Sequence, residues 1–191
     1  MGMEAFWVSL TTVAIAEIGD RTQLLTLLLA AKFRRPLPII AGIFVATVAS
    51  HAAAGALGIW FGRLLQPKVL DIAVGVSMIG MALWTLKPDV LDDDTPAGSG
   101  AANAFVATAT AFFVAEIGDK TQIATLALAA AYAKLLAVLA GSTLGMMAAN
   151  VPVVFVGNAF AGRLPLKAIH YGAAASFVIL GAVFAWRGLV A

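Results

Sequence analysis

One seven-residue acidic pattern occurs twice in this chain, as Glu17-Ile-Gly-Asp-Arg-Thr-Gln23 and Glu116-Ile-Gly-Asp-Lys-Thr-Gln122, each time in the middle of an apolar stretch. A soluble fold would push such charges to its surface, but here the surroundings offer little polar surface. The 191-residue sequence is 62% hydrophobic and 12% charged, against about 25% charged in an ordinary soluble domain. Its mean hydropathy is +0.97. Lipid is therefore the expected solvent, and the motifs are expected at bilayer depth. No basic stripe with interleaved aromatics is present, which argues against a nucleic-acid partner. The absence of cysteine excludes disulfides and thiolate metal sites.

A spanning helix needs roughly 20 largely apolar residues. Leu37–Gly62 and Leu135–Ala161 satisfy this outright, and Val69–Leu86 and Ala168–Trp186 do so with flanking anchors. Ala5–Ala31 and Ala104–Ala133 complete a set of six if their polar centres are tolerated. Met1-Gly-Met-Glu lacks a basic leader, so the first apolar segment is expected in the mature protein. Pro152 lies inside the fifth span and predicts a kink or break there. The fold class expected is all-α, a polytopic membrane protein of six transmembrane helices.

The halves repeat. Ile15–Ala31 aligned on Val114–Ala130 gives 12 identities in 17 positions, with Gly42 on Gly141 and His51 on Asn150 farther along. Residues 1–87 form one three-helix repeat, 88–103 a flexible acidic central loop containing Asp92–Asp94, and 104–191 the second repeat. An odd number of spans inverts the second copy, the plan of many secondary transporters with a midplane site between repeats. Six basic residues in the connections on one side against four on the other favour a cytoplasmic central loop and external termini.

The motifs hold Glu17, Asp20, Arg21, Glu116, Asp119 and Lys120, six of the chain's 12 basic and 10 acidic residues. A charge at mid-bilayer costs ~2.5–3.5 kcal/mol on insertion scales, so each must be paired, hydrated or ligated. Fully ionised, the six sum to −2, which matches one divalent cation. On a helix Glu17 and Asp20 are i and i+3 neighbours, so both carboxylates share one face, and Gly19 and Gly118 ease local unwinding that frees backbone carbonyls as further ligands. Gln23 and Gln122 add amide oxygens, and Thr22 and Thr121 add hydroxyls. This all-oxygen set suits Mn²⁺, Ca²⁺ or Mg²⁺ rather than Zn²⁺ or Cu⁺. Burial favours the protonated carboxylate and a bound cation the ionised one, so the same acids suit exchange of protons for a cation. Arg21 and Lys120 are expected to neutralise carboxylate charge. His51 and Asn150 are expected either as interhelical hydrogen-bonding groups or as additional ligands. Asp71 and His170 are expected at the interface.

The paired Glu-Ile-Gly-Asp-[Arg/Lys]-Thr motifs, one per half, resemble the GDT family of divalent cation/proton antiporters. That family includes the Golgi manganese/calcium–proton exchangers and bacterial manganese exporters. The resemblance implies a six-helix transporter with a cytosolic central loop. It also implies that Glu17, Asp20, Glu116 and Asp119 bind the transported ion, Mn²⁺ ahead of Ca²⁺. No prosthetic group is implied. The compact chain looks prokaryotic, which points to the plasma (inner) membrane and to export from the cytoplasm; a homodimer is compatible with this plan. The rival readings are a small-molecule exporter of the amino-acid efflux type and a membrane scaffold without transport. An enzyme is not expected, because no G-x-S-x-G or H-E-x-x-H pattern occurs.

Overall fold

A computed structural model describes residues 2–86, 100–156 and 166–190, with side chains described for 2–86, 100–155 and 171–190. Asp92–Asp94 and the side chain of His170 lie outside the described residues, as does the central loop expected at 88–103 up to residue 99. The described residues are helical throughout, apart from short connections. In chain order the helices are α1 (Gly2–Glu17), α2 (Arg21–Phe33), α3 (Pro36–Leu64), α4 (Pro67–Thr85), α5 (Ala101–Glu116), α6 (Lys120–Tyr132), α7 (Leu135–Val156) and α8 (Leu166–Val190). Helix α5 therefore begins inside the last residues assigned to the loop.

Among the described residues, four helices are long and apolar enough to cross a membrane: α3, α4, α7 and α8. Helices α5 and α6 taken together, bent by 67° at the motif, are also long and apolar enough and add a fifth candidate span if they cross as one. The equivalent pair α1 and α2 falls short on the same terms. Short, punctuated connections follow from sequence: Pro36 and Pro67 open α3 and α4 at the first turn, where the missing amide proton has no helical partner to lose. Pro152 does not end α7, which continues to Val156. One lost backbone bond is tolerated in a membrane helix when neighbours re-satisfy the freed groups.

Packing between the two halves is reciprocal. Helix α1 lies along α7, with Gly141 against Phe6 and Ser9 and Gly145 against Leu10 and Ala14, so the two run parallel. The equivalent pair α3 and α5 meets at Gly42, against Phe105 and Thr108. Farther along, Thr47 reaches Glu116, which makes this pair parallel too. Helix α4 packs antiparallel on α8, with Gly75 against Gly181 and Ala185, and Gly188 against Lys68 and Ile72. The aligned glycines 42 and 141 thus mark the same kind of close backbone approach. Small residues do this work in membranes because lipid tails supply no hydrophobic force between helices. The interior is rich in alanine, with Met78, Met81, Phe112, Phe177 and Phe184 as larger fillers, while Trp7, Leu37, Trp60, Leu83, Leu136 and Trp186 face outward. An apolar exterior around a polar centre is the arrangement a bilayer stabilises.

Candidate cation site

Each motif is a broken helix. Glu17 ends α1, Gly19 turns with φ +81°, and Asp20 stands as the N-cap of α2. Glu116, Gly118 (φ +72°) and Asp119 repeat this before α6. The expectation of one helical face shared by Glu17 and Asp20 therefore does not hold, because the helix breaks between them. Only glycine adopts positive φ without a Cβ penalty, and the glycine sits between the two acids. The break places Asp20 and Asp119 at helix N-termini, where free N–H groups and the helix dipole favour negative charge. Asp119 uses this directly, accepting from the Thr121 N–H at 3.3 Å and the Thr121 hydroxyl at 3.0 Å.

The glutamines brace the breaks. Gln23 Oε1 accepts from the Gly19 N–H at 2.8 Å, and Gln122 Oε1 accepts from the Gly118 N–H at 2.7 Å. Their amide groups reach across to the other half, Gln23 Nε2 to the Ala149 carbonyl at 3.1 Å and Gln122 Nε2 to Ser50 Oγ at 2.8 Å. Each motif is thereby pinned to the long helix, α7 or α3, of the opposite repeat.

The two breaks meet. Carboxylate oxygens of Glu17, Asp20 and Asp119 all lie within 4.8 Å of one another. The basic residues pair crosswise: Arg21 Nη2 lies 3.2 Å from Asp119 Oδ1, and the Lys120 ammonium contacts Asp20 Oδ1. The site is deeply buried, with Glu17, Asp20, Glu116, Asp119 and Lys120 each at most 1% exposed. Glu17 Oε1 accepts from the Thr22 hydroxyl and from Asn150 Nδ2 at 3.1 Å. Glu116 stands outside the three-acid group and accepts from Thr47 Oγ1 at 2.7 Å. The second oxygens, Glu17 Oε2 and Glu116 Oε2, have no hydrogen-bond partner among the described residues. A buried oxygen left so costs about 1–3 kcal/mol, and a cation or a proton would relieve it.

Asn150 and His51 diverge despite their alignment. Asn150 joins the site through Glu17, with its Oδ1 accepting from Thr26 Oγ1 at 2.6 Å. His51 Nδ1 instead meets Ser142 Oγ at 2.9 Å. Thr47, one turn earlier on α3, takes the place beside the glutamate. Thr47, Thr26 and Ser142 are the polar groups that sequence reasoning missed. Thr26 was detectable, since it matches Thr125 within the repeat. Asp71 is 3.8 Å from Arg187, joining α4 to α8 away from the motifs.

Two broken helices thus bring acids of both motifs together, and comparison with known proteins identifies the family. The family described as "Divalent cation/proton antiporter GDT1" matches residues 5–93 and 104–190. The chain belongs to the GDT1 family of divalent cation/proton antiporters. It is 50% identical over 179 residues to the "Putative manganese exporter" of Vibrio cholerae, covering 93% of this chain and 88% of the relative. It is 30% identical over 204 residues to the chloroplastic protein PAM71 of Arabidopsis thaliana, covering 90% of this chain and 54% of that protein. The GDT1-like protein sll0615 of Synechocystis is 28% identical over 211 residues, covering 96% and 98%. No solved structure matches the chain. This GDT1 protein thus belongs to a family of membrane antiporters.

Proposed function

We propose that this GDT1 protein exchanges Mn²⁺, or secondarily Ca²⁺, for protons and exports the metal from the cytoplasm across a prokaryotic plasma membrane. The observation that carries the reading is the meeting of three buried carboxylates from both motifs within 4.8 Å. Carboxylate oxygens suit Mn²⁺ and Ca²⁺, and the Vibrio cholerae relative bears the name of a manganese exporter. Glu17, Asp20 and Asp119 form the ligating ring, Glu116 stands beside it, and Gln23 and Gln122 hold the breaks in place. Thr22, Thr121 and Asn150 orient the acids, and His51 braces α3 against α7.

The architecture assigned to the chain is two inverted repeats of three spans, with α1–α2 and α5–α6 as broken spans and the central loop cytoplasmic. Reciprocal pairing of the halves and the antiparallel contact of α4 with its sequence equivalent α8 support it. Rocking of one repeat against the other would then expose the acids to each side in turn. Binding of a cation and binding of protons compete for the same oxygens, so the carrier crosses loaded with one or the other.

The test is Mn²⁺ flux in proteoliposomes under an imposed pH gradient. Wild type moves Mn²⁺ against the proton flow. Glu17→Gln with Glu116→Gln, still folded by thermal unfolding, moves none. Undiminished transport by that double variant would overturn the proposal.

A further inference from the structure

Two of the three acids in the cluster are already partnered by cations of the protein's own. Lys120 contacts Asp20 across the repeat boundary, and Arg21 contacts Asp119 in return. The two differ in setting. Lys120 is among the largest fully buried side chains in the protein, whereas the Arg21 side chain is 31% exposed. A sealed ammonium has no water to fall back on, so its contact with Asp20 helps to compensate for its burial. An arriving divalent ion needs that same carboxylate, because Asp20 belongs to the group that can close around a metal. Two cations on one carboxylate repel strongly at this depth, where screening is weak.

We propose that Lys120 is a tethered stand-in for the transported cation, which holds Asp20 in the ion-free protein and is driven off it when the ion binds. The inference rests on the cation site proposed above. Lys120 keeps the empty cluster from flying apart and lowers the affinity of the loaded one, which suits a carrier that must release its cargo. A compact ammonium on a flexible stem can leave and return in a way that a bidentate guanidinium would not.

The experiment uses the purified full-length protein, with equilibrium Mn²⁺ binding and thermal unfolding measured in chelator and in Mn²⁺. Lys120→Met is expected to bind Mn²⁺ about tenfold or more tightly than wild type. In chelator it unfolds at a lower temperature than wild type, and Mn²⁺ restores the loss, because the metal takes over the role of the ammonium. Arg21→Met shifts the affinity less, its charge being screened by solvent. Unchanged or weaker binding by Lys120→Met would contradict the proposal, as would a stability loss that Mn²⁺ does not repair, the mark of a purely structural ion pair. Should Lys120→Met not be recovered folded, Lys120→Gln keeps a hydrogen bond to Asp20 without the charge and carries the same two readouts. Absence of Mn²⁺ binding by wild type overturns the site itself, whereas normal wild-type binding with no effect of the variants overturns only the role of Lys120.

Discussion

Adding a single methyl group at Gly141 should separate α1 from α7 and loosen the site at its far end. A Cβ built there lies 2.3 Å from the Phe6 carbonyl oxygen and 3.0 Å from Ser9 Cβ. Carbon and oxygen normally approach to about 3.3–3.6 Å, so one helix must give way by about 1 Å. Overpacking of this kind costs about 1–3 kcal/mol, partly offset by the ~0.5–1 kcal/mol that alanine contributes over glycine within a helix. Gly42, its repeat partner, is less confined, with Thr108 Cβ at 2.8 Å and the Phe105 oxygen at 2.9 Å. Gly80 meets nothing within 4 Å and supplies the control. The predicted order of thermal stability in detergent is Gly80→Ala at or above wild type, then Gly42→Ala, then Gly141→Ala lowest. Each kcal/mol corresponds to roughly 2–4 °C in a chain of this size. Because α1 ends at Glu17 and α7 carries Asn150, Gly141→Ala also stretches their 3.1 Å hydrogen bond and should slow transport. Equal stability of the Gly141 and Gly80 variants would refute the close approach on which the parallel packing of α1 and α7 rests.

Three further outcomes follow from the site. Gly118→Ala, at φ +72° with open space around it, should lose about 1–2 kcal/mol to backbone strain alone, while Gly118→Asn loses less; thermal unfolding of the pair checks this, and equal losses would point to a steric cause. Thr47→Val removes a donor to Glu116 at nearly constant volume and should destabilise by about 1–3 kcal/mol while cutting Mn²⁺ flux; normal flux would show that transport does not need the Thr47 hydrogen bond. Arg187→Met opens the partly exposed contact with Asp71 at 3.8 Å and should change stability by less than about 1 kcal/mol with transport intact; a large loss of flux would place chemistry at the α4–α8 contact that the present account does not.

The sequence made the acids legible because charges at lipid depth have few innocent explanations and because the pattern occurs twice. Long apolar helices were equally plain: α3, α4, α7 and α8 fall where hydropathy placed them. The matched pair Gly42 and Gly141 proved to be equivalent contact points. The geometry of the motif was less accessible, since Glu17 and Asp20 fit a continuous helical face as well as a break. Gly19 and Gly118 decide between the two through a backbone conformation that spacing does not encode. Alignment of His51 with Asn150 also suggested equal roles. The contact of α3 with α5 turns Thr47 rather than His51 toward Glu116, and a rotation of one helix face is set by packing between distant segments. Pairing of Lys120 with Asp20 and of Arg21 with Asp119, rather than within each motif, likewise depends on how the halves meet.

The central claim is that one divalent ion is held by acids contributed by both repeats. A crystal or cryo-EM structure determined with Mn²⁺, with anomalous scattering or difference density locating the metal, tests it most directly. A single metal peak is expected, bounded by carboxylate oxygens of Glu17, Asp20 and Asp119, with the Lys120 ammonium withdrawn from Asp20. Metal bound by the acids of one motif alone, or at a site remote from both, would contradict it.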